Sequence, residues 1–560
     1  MRRSLPTMIV SVLLWCAAGV CAAGQREAKE PAAVTYRIAG VVVDAQTGAA
    51  VPGAELWTTG DVELKTSADA QGRFVFDRLE AGKYPLNATA PGYVKEGLDQ
   101  HGAFFTGIAV GDGLDSEHVV FKLHRQAVIY GRVTDERGDA VRRATVYLFS
   151  DGVDFGKHEV TVRAQMQTND LGAFRFAHLA PAKYYVGVMT RPWWAQTGFK
   201  FPANASTGTA DATPAPSDPM FDIVYPLTYF AGTTDDYGAM PLLAKPGDAI
   251  EANVQLTAVP AVHVFLTNVD AARRRGEHVS VSAMLRPFGS AGIPVESASL
   301  TAVGPKTFEV GALPPGGLKL TVNRGGNGTW DAHAVRLNAV DGESVDLAAN
   351  TAACTVSGIL VAAPGSKPEL LGEIVLRNEE LDLFSAPVAK DATFRIASVP
   401  AGTYEVLVNT RSSGDYVAKV SATSAKVTGK TVKIDATNDV KLTLTMGKGL
   451  GRVSGVVKMD DKPAAGVMVL LVPEDVGLPA GEKEELARMD QSDSDGTFTL
   501  GGVVPGKYVL LAIEDGWELE WRQEGPLTPY LQKGVTVVLA AGEDKKVAVE
   551  GVKKLPADNH

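Results

Sequence analysis

One aromatic spacing recurs five times along this chain and limits what the chain can fold into. In each copy a phenylalanine is followed ten residues later by a second landmark, a tyrosine in four copies and a leucine in one. The pairs are Phe74 and Tyr84, Phe174 and Tyr184, Phe308 and Leu318, Phe394 and Tyr404, and Phe498 and Tyr508. Five copies at one spacing indicate a single supersecondary unit used five times.

Each copy predicts a strand, a tight turn and a returning strand. In the last copy, Phe498 and Leu500 lie on one face of a strand, because side chains alternate along a strand. The preceding Ser-Asp-Gly suits a turn, since Asp caps its own backbone and Gly accepts a positive φ. The later tyrosine occupies the place of the tyrosine corner of Greek-key sandwiches. We expect each tyrosine hydroxyl to bond to a main-chain group of its own corner.

Further strands surround each hairpin. Four units open with a strand that carries an early glycine, at Gly40, Gly131, Gly358 and Gly455. With an alternating strand before the hairpin and another closing the unit, each unit has about seven short strands, as β-sandwiches do. We therefore predict an all-β fold of tandem Greek-key β-sandwich domains, immunoglobulin-like or prealbumin-like. Helical periodicity is confined to residues 482–489.

The repeat also sets the predicted domain boundaries. The predicted segments are a signal peptide at 1–23, a tether at 24–32, β-sandwiches at 33–125, 126–257, 258–350, 351–447 and 448–554, and a tail at 555–560. The second sandwich carries an aromatic and low-complexity insertion at 192–240. The joints between sandwiches are short, so we expect a semi-rigid string rather than loosely tethered domains.

The amino terminus predicts export. Arg2 and Arg3 precede an apolar run that is too short for a membrane span, and small residues follow it, as in a secretory signal. We expect a periplasmic, outer-membrane-associated or secreted protein with no transmembrane span after cleavage. Cys21 raises a lipoprotein alternative, which the preceding Ala-Gly-Val disfavours. Cys354 is then the only cysteine of the mature chain, and we interpret it as a small buried apolar residue.

Composition and motifs argue against several functional classes. The net charge is −11 and there is no long basic run, which disfavours nucleic-acid binding. The sequence contains no paired histidine motif of a zinc hydrolase, no G-x-S-x-G elbow and no glycine-rich phosphate loop. We therefore predict no catalytic residues, no cofactor and no enzyme activity.

One acidic turn allows two interpretations. Asp490, Asp493 and Asp495 precede Gly496 in an arrangement similar to the start of a calcium-binding EF-hand loop. The bidentate glutamate that such a loop needs is missing, because position 502 is glycine. Comparable aspartates in the other hairpins are turn formers, so we favour a turn over a calcium site.

Aromatic residues outside the repeat are the candidate binding residues. The second sandwich leaves the pattern after its returning strand, and the fifth has a shorter aromatic loop. The candidates are Trp193, Trp194, Phe199, Tyr225, Tyr229, Trp517 and Trp521. Exposed aromatic rings on a loop would suit sugar stacking or a protein interface. The alternative is that these rings fold back and pack over their own sandwich.

The hairpin pattern resembles a known family. An S-G-x-V strand, followed by D-x-x-G-x-F-x-F and then L-x-x-G-x-Y, is similar to the carboxypeptidase regulatory-like domain, of prealbumin-like and carbohydrate-binding-like fold. The resemblance implies a fold and no activity, because the zinc ligands of those carboxypeptidases belong to a separate catalytic domain. We expect an exported non-catalytic protein that binds glycans or cell-envelope partners. A structural spacer or rod is the second hypothesis, and an enzyme whose site is dispersed in sequence is the third.

Overall fold

The computed structural model describes residues 35–59, 63–195, 218–268, 278–289, 292–304, 306–326, 329–346, 353–364, 371–378, 383–410, 414–475, 477–523 and 525–554. The predicted signal peptide, tether and tail lie outside these residues. The described strands form ten sheets, which pair into five sandwiches. The predicted all-β fold is confirmed. We call the sandwiches modules 1 to 5 in chain order, and the exact boundaries between them stay a prediction.

Module 1 packs a three-stranded sheet on a five-stranded one. Its strands are β1 (Tyr36–Asp44), β2 (Glu55–Thr58), β3 (Lys65–Ser67), β4 (Arg73–Leu79), β5 (Gly82–Thr89), β6 (Glu96–Gly97), β7 (Gly107–Val110) and β8 (Val119–Leu123). The sheets have the orders β4-β1-β8 and β3-β2-β5-β6, and β7 pairs with β5. Phe74, Phe76 and Phe121 fill the core between the sheets.

Module 2 contains a long hairpin, which is formed by its second and third strands. Its strands are β9 (Ala127–Thr134), β10 (Thr145–Asp154), β11 (Lys157–Gln167), β12 (Ala173–Leu179), β13 (Ala182–Thr190), β14 (Ile223–Tyr229), β15 (Leu242–Ala244), β16 (Ala249–Glu251), β17 (Val254–Gln255) and β18 (Val259–Pro260). One sheet has the order β12-β9-β16 with β17 beside β9, and the other runs β11-β10-β13-β14-β18 with β15 beside β13. The β10–β11 hairpin extends beyond the sandwich.

Module 3, the most divergent copy, keeps the two-sheet plan. Its strands are β19 (Val262–Thr267), β20 (His278–Leu285), β21 (Ile293–Pro294), β22 (Ser299–Gly304), β23 (Thr307–Leu313), β24 (Gly316–Gly326), β25 (Thr329–Ala339) and β26 (Glu343–Asp346). The sheet orders are β22-β23-β19-β26 and β21-β20-β24-β25. Leu318, which replaces the corner tyrosine, is buried in the core.

Module 4 repeats the plan with a four-stranded and a five-stranded sheet. Its strands are β27 (Ala353–Val361), β28 (Leu371–Asn378), β29 (Leu383–Pro387), β30 (Thr393–Pro400), β31 (Gly402–Thr410), β32 (Asp415–Thr423), β33 (Lys426–Thr428), β34 (Thr431–Ile434) and β35 (Val440–Lys448). The orders are β30-β27-β35-β32 and β29-β28-β31-β34-β33. Cys354 lies in this core, and its burial raises the pKa of the thiol.

Module 5 adds two α-helices to the sandwich. Its elements are β36 (Gly451–Met459), β37 (Lys462–Pro463), β38 (Met468–Pro473), α1 (Ala480–Leu486), β39 (Arg488–Gln491), β40 (Thr497–Val503), β41 (Gly506–Glu514), α2 (Thr528–Leu531), β42 (Val535–Leu539), β43 (Asp544–Glu550) and β44 (Val552–Lys553). The sheets run β37-β36-β40 with β43 beside β36, and β39-β38-β41-β42 with β44 beside β41. The predicted helix at 482–489 therefore ends early, because residues 488–491 pair with β38.

The opening strand of each module pairs in parallel with the last strands of that module. This pairing explains the early glycines of the repeat. A Cβ at Gly455 would overlap the carbonyl oxygen of Val547 on the parallel neighbour, and Gly358 faces Leu442 in the same way. Four modules therefore use glycine where two backbones approach closely.

All five hairpins share a backbone feature that no single residue type marks. The residue four positions after the hairpin phenylalanine is left-handed, with φ between 56° and 66°, in Arg78, His178, Ala312, Ser398 and Gly502. The register of the hairpin strand against the opening strand shifts at this point in every module, which identifies a β-bulge. Module 3 therefore shares this β-bulge with the other four copies, although it lacks the corner tyrosine.

The predicted tyrosine corners are confirmed. Each hydroxyl donates to the carbonyl oxygen four residues upstream, Tyr84 to Glu80, Tyr184 to Ala180, Tyr404 to Pro400 and Tyr508 to Val504, over 2.6–3.0 Å. Burial raises the pKa of Tyr508 to about 12. The hydrogen bonds hold each returning strand to the turn that precedes it.

A buried charge cluster joins modules 2 and 3. His263 of β19 holds Asp222 through Nε2, at 2.6 Å from Oδ2, and holds Glu309 of β23 through Nδ1. All three side chains are largely buried. The two carboxylates raise the pKa of His263 to about 9 against the opposing effect of burial, with the Glu309 hydrogen bond as the largest cause. The imidazole is therefore a cation at neutral pH, and both of its nitrogens are occupied.

This cluster predicts a pH-dependent stability. Because the pKa of His263 is higher in the folded chain than its usual value of 6.5, its contribution is complete below pH 6.5 and is lost as pH rises through about 9. We expect the free energy of unfolding to fall by up to about 3 kcal/mol across that window. Denaturant titrations between pH 6 and 10 measure it.

The control is a histidine whose ion pair is exposed. His118 pairs with Asp115 at the surface of module 1, where the pair contributes little. His263→Gln should flatten the pH dependence, whereas His118→Gln should leave it as in the unmodified chain. Equal pH profiles for the unmodified chain and His263→Gln would show that the cluster does not stabilise the junction.

Candidate functional site

Six of the seven candidate aromatic residues lie at three places in the described fold. Trp193 and Trp194 follow β13, Tyr225 and Tyr229 lie in β14, Trp517 and Trp521 lie between β41 and α2, and Phe199 lies outside the described residues. Their exposure separates them. Trp193 is 83% exposed, whereas Tyr225, Tyr229 and Trp521 are buried. Ligand contact through Tyr225 or Tyr229 would require the protein to open, whereas Trp521 also lines a cavity of module 5.

Trp193 is the outermost of three rings that pack edge to face. Its centroid lies 5.7 Å from that of Trp194, which lies 6.5 Å from that of Tyr225. Tyr225 belongs to the core of module 2, and its hydroxyl donates to Glu136 over 3.3 Å. Arg191 closes the loop by donating to the carbonyl of Ala195 over 2.8 Å. The exposed indole of Trp193 is therefore connected to the core of module 2 through Trp194 and Tyr225.

Tyr229 has a packing role at the junction of modules 2 and 3. Its ring lies 6.1 Å from Phe149 and 5.3 Å from Phe288 of module 3, measured between centroids. Burial raises the pKa of its hydroxyl. Tyr225 is therefore packed in its own sandwich, as in the second interpretation, whereas Tyr229 packs on module 2 and on module 3.

Trp517 packs against module 1 and is partly buried. Its ring stacks on His101 with 4.6 Å between centroids and 6° between planes, and Phe104 lies 5.7 Å away. Gln491 of β39 adds polar contacts, donating to the carbonyl of Asp99 over 2.7 Å and to Thr106 over 2.8 Å. Modules 1 and 5 therefore share a mixed aromatic and polar interface.

The acidic turn of module 5 caps the edge strand β7 of module 1. Gly107 donates its N–H to Asp493 over 3.0 Å, and Ala109 donates to the hydroxyl of Ser494 over 2.9 Å. The N–H of Ser494 in turn donates to the carbonyl of Gly107 over 2.9 Å. Lys83 adds an ion pair with Asp493. An exposed strand edge is a liability, and here the turn satisfies its main-chain groups.

The hydrogen bonds of the acidic turn distinguish between a turn and a calcium site. Asp490 accepts from the N–H groups of Gln491 and Thr499, and Asp495 accepts from the N–H of Thr497. The three carboxylates thus face separate donors instead of converging on one point, as calcium coordination requires. The described residues contain no group of three or more His, Cys, Asp and Glu that could hold a metal ion. The turn interpretation fits these contacts.

Trp521 anchors the long hairpin of module 2. Phe155, at the tip of the β10–β11 hairpin, packs edge to face on the indole with 5.0 Å between centroids. The next residue, Gly156, has φ of 72° and lies against the ring, and its carbonyl accepts from the N–H of Arg522 over 3.1 Å. A two-residue turn with positive φ at both positions suits a tight hairpin. Sequence reasoning missed Phe155, although an apolar residue at a hairpin tip is a usable signal.

Module 5 also contacts module 4 through helix α1. Lys430 is buried and pairs with Glu485 at 2.8 Å, while its N–H donates to Glu482 over 3.1 Å. Module 5 therefore meets modules 1, 2 and 4. The expectation of a string of modules is corrected, because the chain folds back and its first and last modules are in contact.

None of the described helices is long and apolar enough to span a membrane. The cluster around His263 is a buried group of ionisable side chains outside the module 5 contacts. Because both ring nitrogens of His263 bind carboxylates, the imidazole has no free lone pair with which to act as a base. This cluster holds two modules together.

Comparison with known proteins identifies one module. Residues 37–118 match the carboxypeptidase regulatory-like domain family, as the hairpin pattern of module 1 predicted. A comparison with curated proteins gave no match.

Several solved structures resemble parts of the chain. A streptococcal ancillary pilin is 14% identical, with 52% of this chain and 98% of the pilin covered, at a TM-score of 0.20. The minor pilin GBS52 of Streptococcus agalactiae is 16% identical, with 37% and 98% covered, at 0.20. Full-length RrgB of Streptococcus pneumoniae is 8% identical, with 78% and 99% covered, at 0.14. Scores of this size carry no inference about module arrangement or function.

The contact at Gly156 predicts the effect of a single methyl group. A Cβ at this position would overlap the indole of Trp521, and alanine is disfavoured at positive φ. We expect Gly156→Ala to lower the free energy of unfolding by more than about 1 kcal/mol and to shift tryptophan emission to the red. Chemical denaturation followed by fluorescence measures both.

Gly152 on the same hairpin is the matched control. A Cβ there has no neighbour within 4 Å. Gly152→Ala should therefore unfold like the unmodified protein. If the two alanine variants have the same stability and emission, the hairpin of module 2 does not dock on Trp521.

Proposed function

We propose that this protein is an exported, non-catalytic scaffold that binds a glycan or another cell-envelope partner through Trp193. The observation that carries the proposal is an indole that is 83% exposed and supported from below by two further rings. A flat, amphipathic ring held in place suits stacking on the apolar face of a sugar or on a protein surface. Little conformational entropy is lost when such a side chain binds.

The surroundings of Trp193 support a contact surface. Met220, on the other side of residues 196–217, is 73% exposed. The segment 196–217 is thus bracketed in sequence by two large, exposed apolar side chains. Exposed apolar residues of this size are a common feature of interaction sites. Phe199, another candidate residue, belongs to the same segment, which the structure does not describe.

The module contacts favour a second candidate, a purely structural scaffold. Module 5 contacts modules 1, 2 and 4 through side chains that are buried between them, such as Trp521 and Lys430. An extended rod would leave those surfaces in water. A structural role would therefore belong to a folded-back assembly that presents a fixed surface, rather than to a spacer that sets a distance.

Two features support the absence of catalysis in this proposal. The match at residues 37–118 is to a regulatory-like domain. Moreover, the histidine with the most strongly raised pKa, His263, uses both nitrogens in ion pairs. We propose export on the basis of the amino-terminal sequence, in which two arginines precede an apolar run and small residues.

A glycan array with a parallel pull-down from envelope extract tests the binding proposal. Trp193→Ala should weaken the bound signal by about tenfold or more, as removal of a central aromatic contact does. Its folding should be unchanged, because the ring is exposed. Thermal unfolding checks that point.

Tyr237→Ala is the matched control, since Tyr237 is 97% exposed and lies elsewhere on module 2. This variant should bind like the unmodified protein. A signal that Trp193→Ala leaves intact would refute the role of Trp193. No signal from the unmodified protein in either assay would favour the purely structural scaffold.

A further inference from the structure

Module 5 contains a cavity that lies outside the core between its two sheets. The cavity has a volume of about 510 Å³, within the usual range of small-molecule sites. The end of β38, the helices α1 and α2, and the segment from Trp521 to Gln523 surround it. The only two α-helices among the described residues both line this space.

The wall of the cavity is largely apolar. Val472, Trp521, Leu527 and Leu531 line it, and Val472 and Trp521 are buried. The Trp521 ring is fixed from its other side by Phe155 of module 2. The cavity is therefore preformed, and its shape depends on the docking of two modules.

The lining of the cavity includes one positive charge that has no ion-pair partner among the described residues. The charged residues that line the cavity are Lys483, Glu484 and Arg522. Arg522 and Glu484 form an ion pair with each other. Because Lys483 is only partly buried and forms no ion pair with a described residue, its ammonium is available to an anionic group in the cavity.

We infer that this cavity binds an alkyl carboxylate, with the chain against Trp521, Leu527 and Leu531 and the carboxylate paired with Lys483. The apolar wall selects the chain through burial of its methylene groups. Lys483 selects the charged end, because a charge-assisted hydrogen bond to a carboxylate is stronger than one to a hydroxyl. This site is separate from the Trp193 surface and does not depend on the function proposed for it.

Titration calorimetry of the full chain with saturated carboxylates tests the inference. Hexanoate, octanoate and decanoate should bind at one site, about tenfold tighter for each added pair of methylenes. Decanol, of the same chain length, should bind about tenfold more weakly than decanoate, and decyltrimethylammonium should bind no better than decanol.

Three variants locate the site. Ala480 is exposed and lines the cavity, so Ala480→Trp should fill the space and abolish decanoate binding without disturbing the core. Lys483→Gln should weaken decanoate binding about tenfold and leave decanol unchanged. Lys533→Gln, the same charge change at an exposed site of module 5 outside the cavity, should have no effect.

The opposite outcomes overturn the inference. No heat from decanoate, or binding that Ala480→Trp retains in a chain that unfolds at the unmodified temperature, would show that the cavity is not the site. Equal decanoate affinities for Lys483→Gln and Lys533→Gln, or equal affinities for decanol and decanoate, would show that Lys483 does not recognise a carboxylate.

Discussion

The arrangement of the modules depends on the hydrogen bonds between the main chain of strand β7 in module 1 and the side chains and main chain of the acidic turn in module 5. Gly107 and Ala109 lie on a strand edge, and Asp493 and Ser494 accept their N–H groups. Unpaired groups there would be costly once neighbouring side chains exclude water. With the first and last modules joined, module 5 is also positioned to receive the hairpin of module 2 and Lys430 of module 4.

The hairpin of each module was predictable because its signals are local. The spacing of Phe498 and Tyr508, the alternation of the strand and the glycine of the turn all act within about fifteen residues. The left-handed bulge residue was not predictable, since Arg78 and Ser398 share neither charge nor size. The bulge arises from pairing with the opening strand, which lies far away in sequence. The sequence of the hairpin strand alone does not determine its register against the opening strand.

The candidate binding residues also include some that could be predicted from the sequence and some that could not. Trp193 could be found from sequence, because a tryptophan on a loop is a candidate for exposure. The roles of Trp521 and Asp493 could not, since each is defined by a partner in another module. The comparable Asp69 caps only its own turn, so the local pattern of the acidic turn does not distinguish a free turn from a docked one. The short joints between the modules favoured a string, and they contain no signal of the contacts between modules 1 and 5 that fold the chain back.

A distance measured between modules 1 and 5 tests the central claim, that the chain folds back on itself. Spin labels at Asp112→Cys and Lys533→Cys, both exposed positions, in a Cys354→Ala background allow pulsed electron resonance to measure it. The contacts of the acidic turn predict one narrow distance distribution, which becomes broad and shifts to longer distances when Asp493 and Ser494 are both changed to alanine. A broad distribution in the chain that retains Asp493 and Ser494 would contradict the closed arrangement.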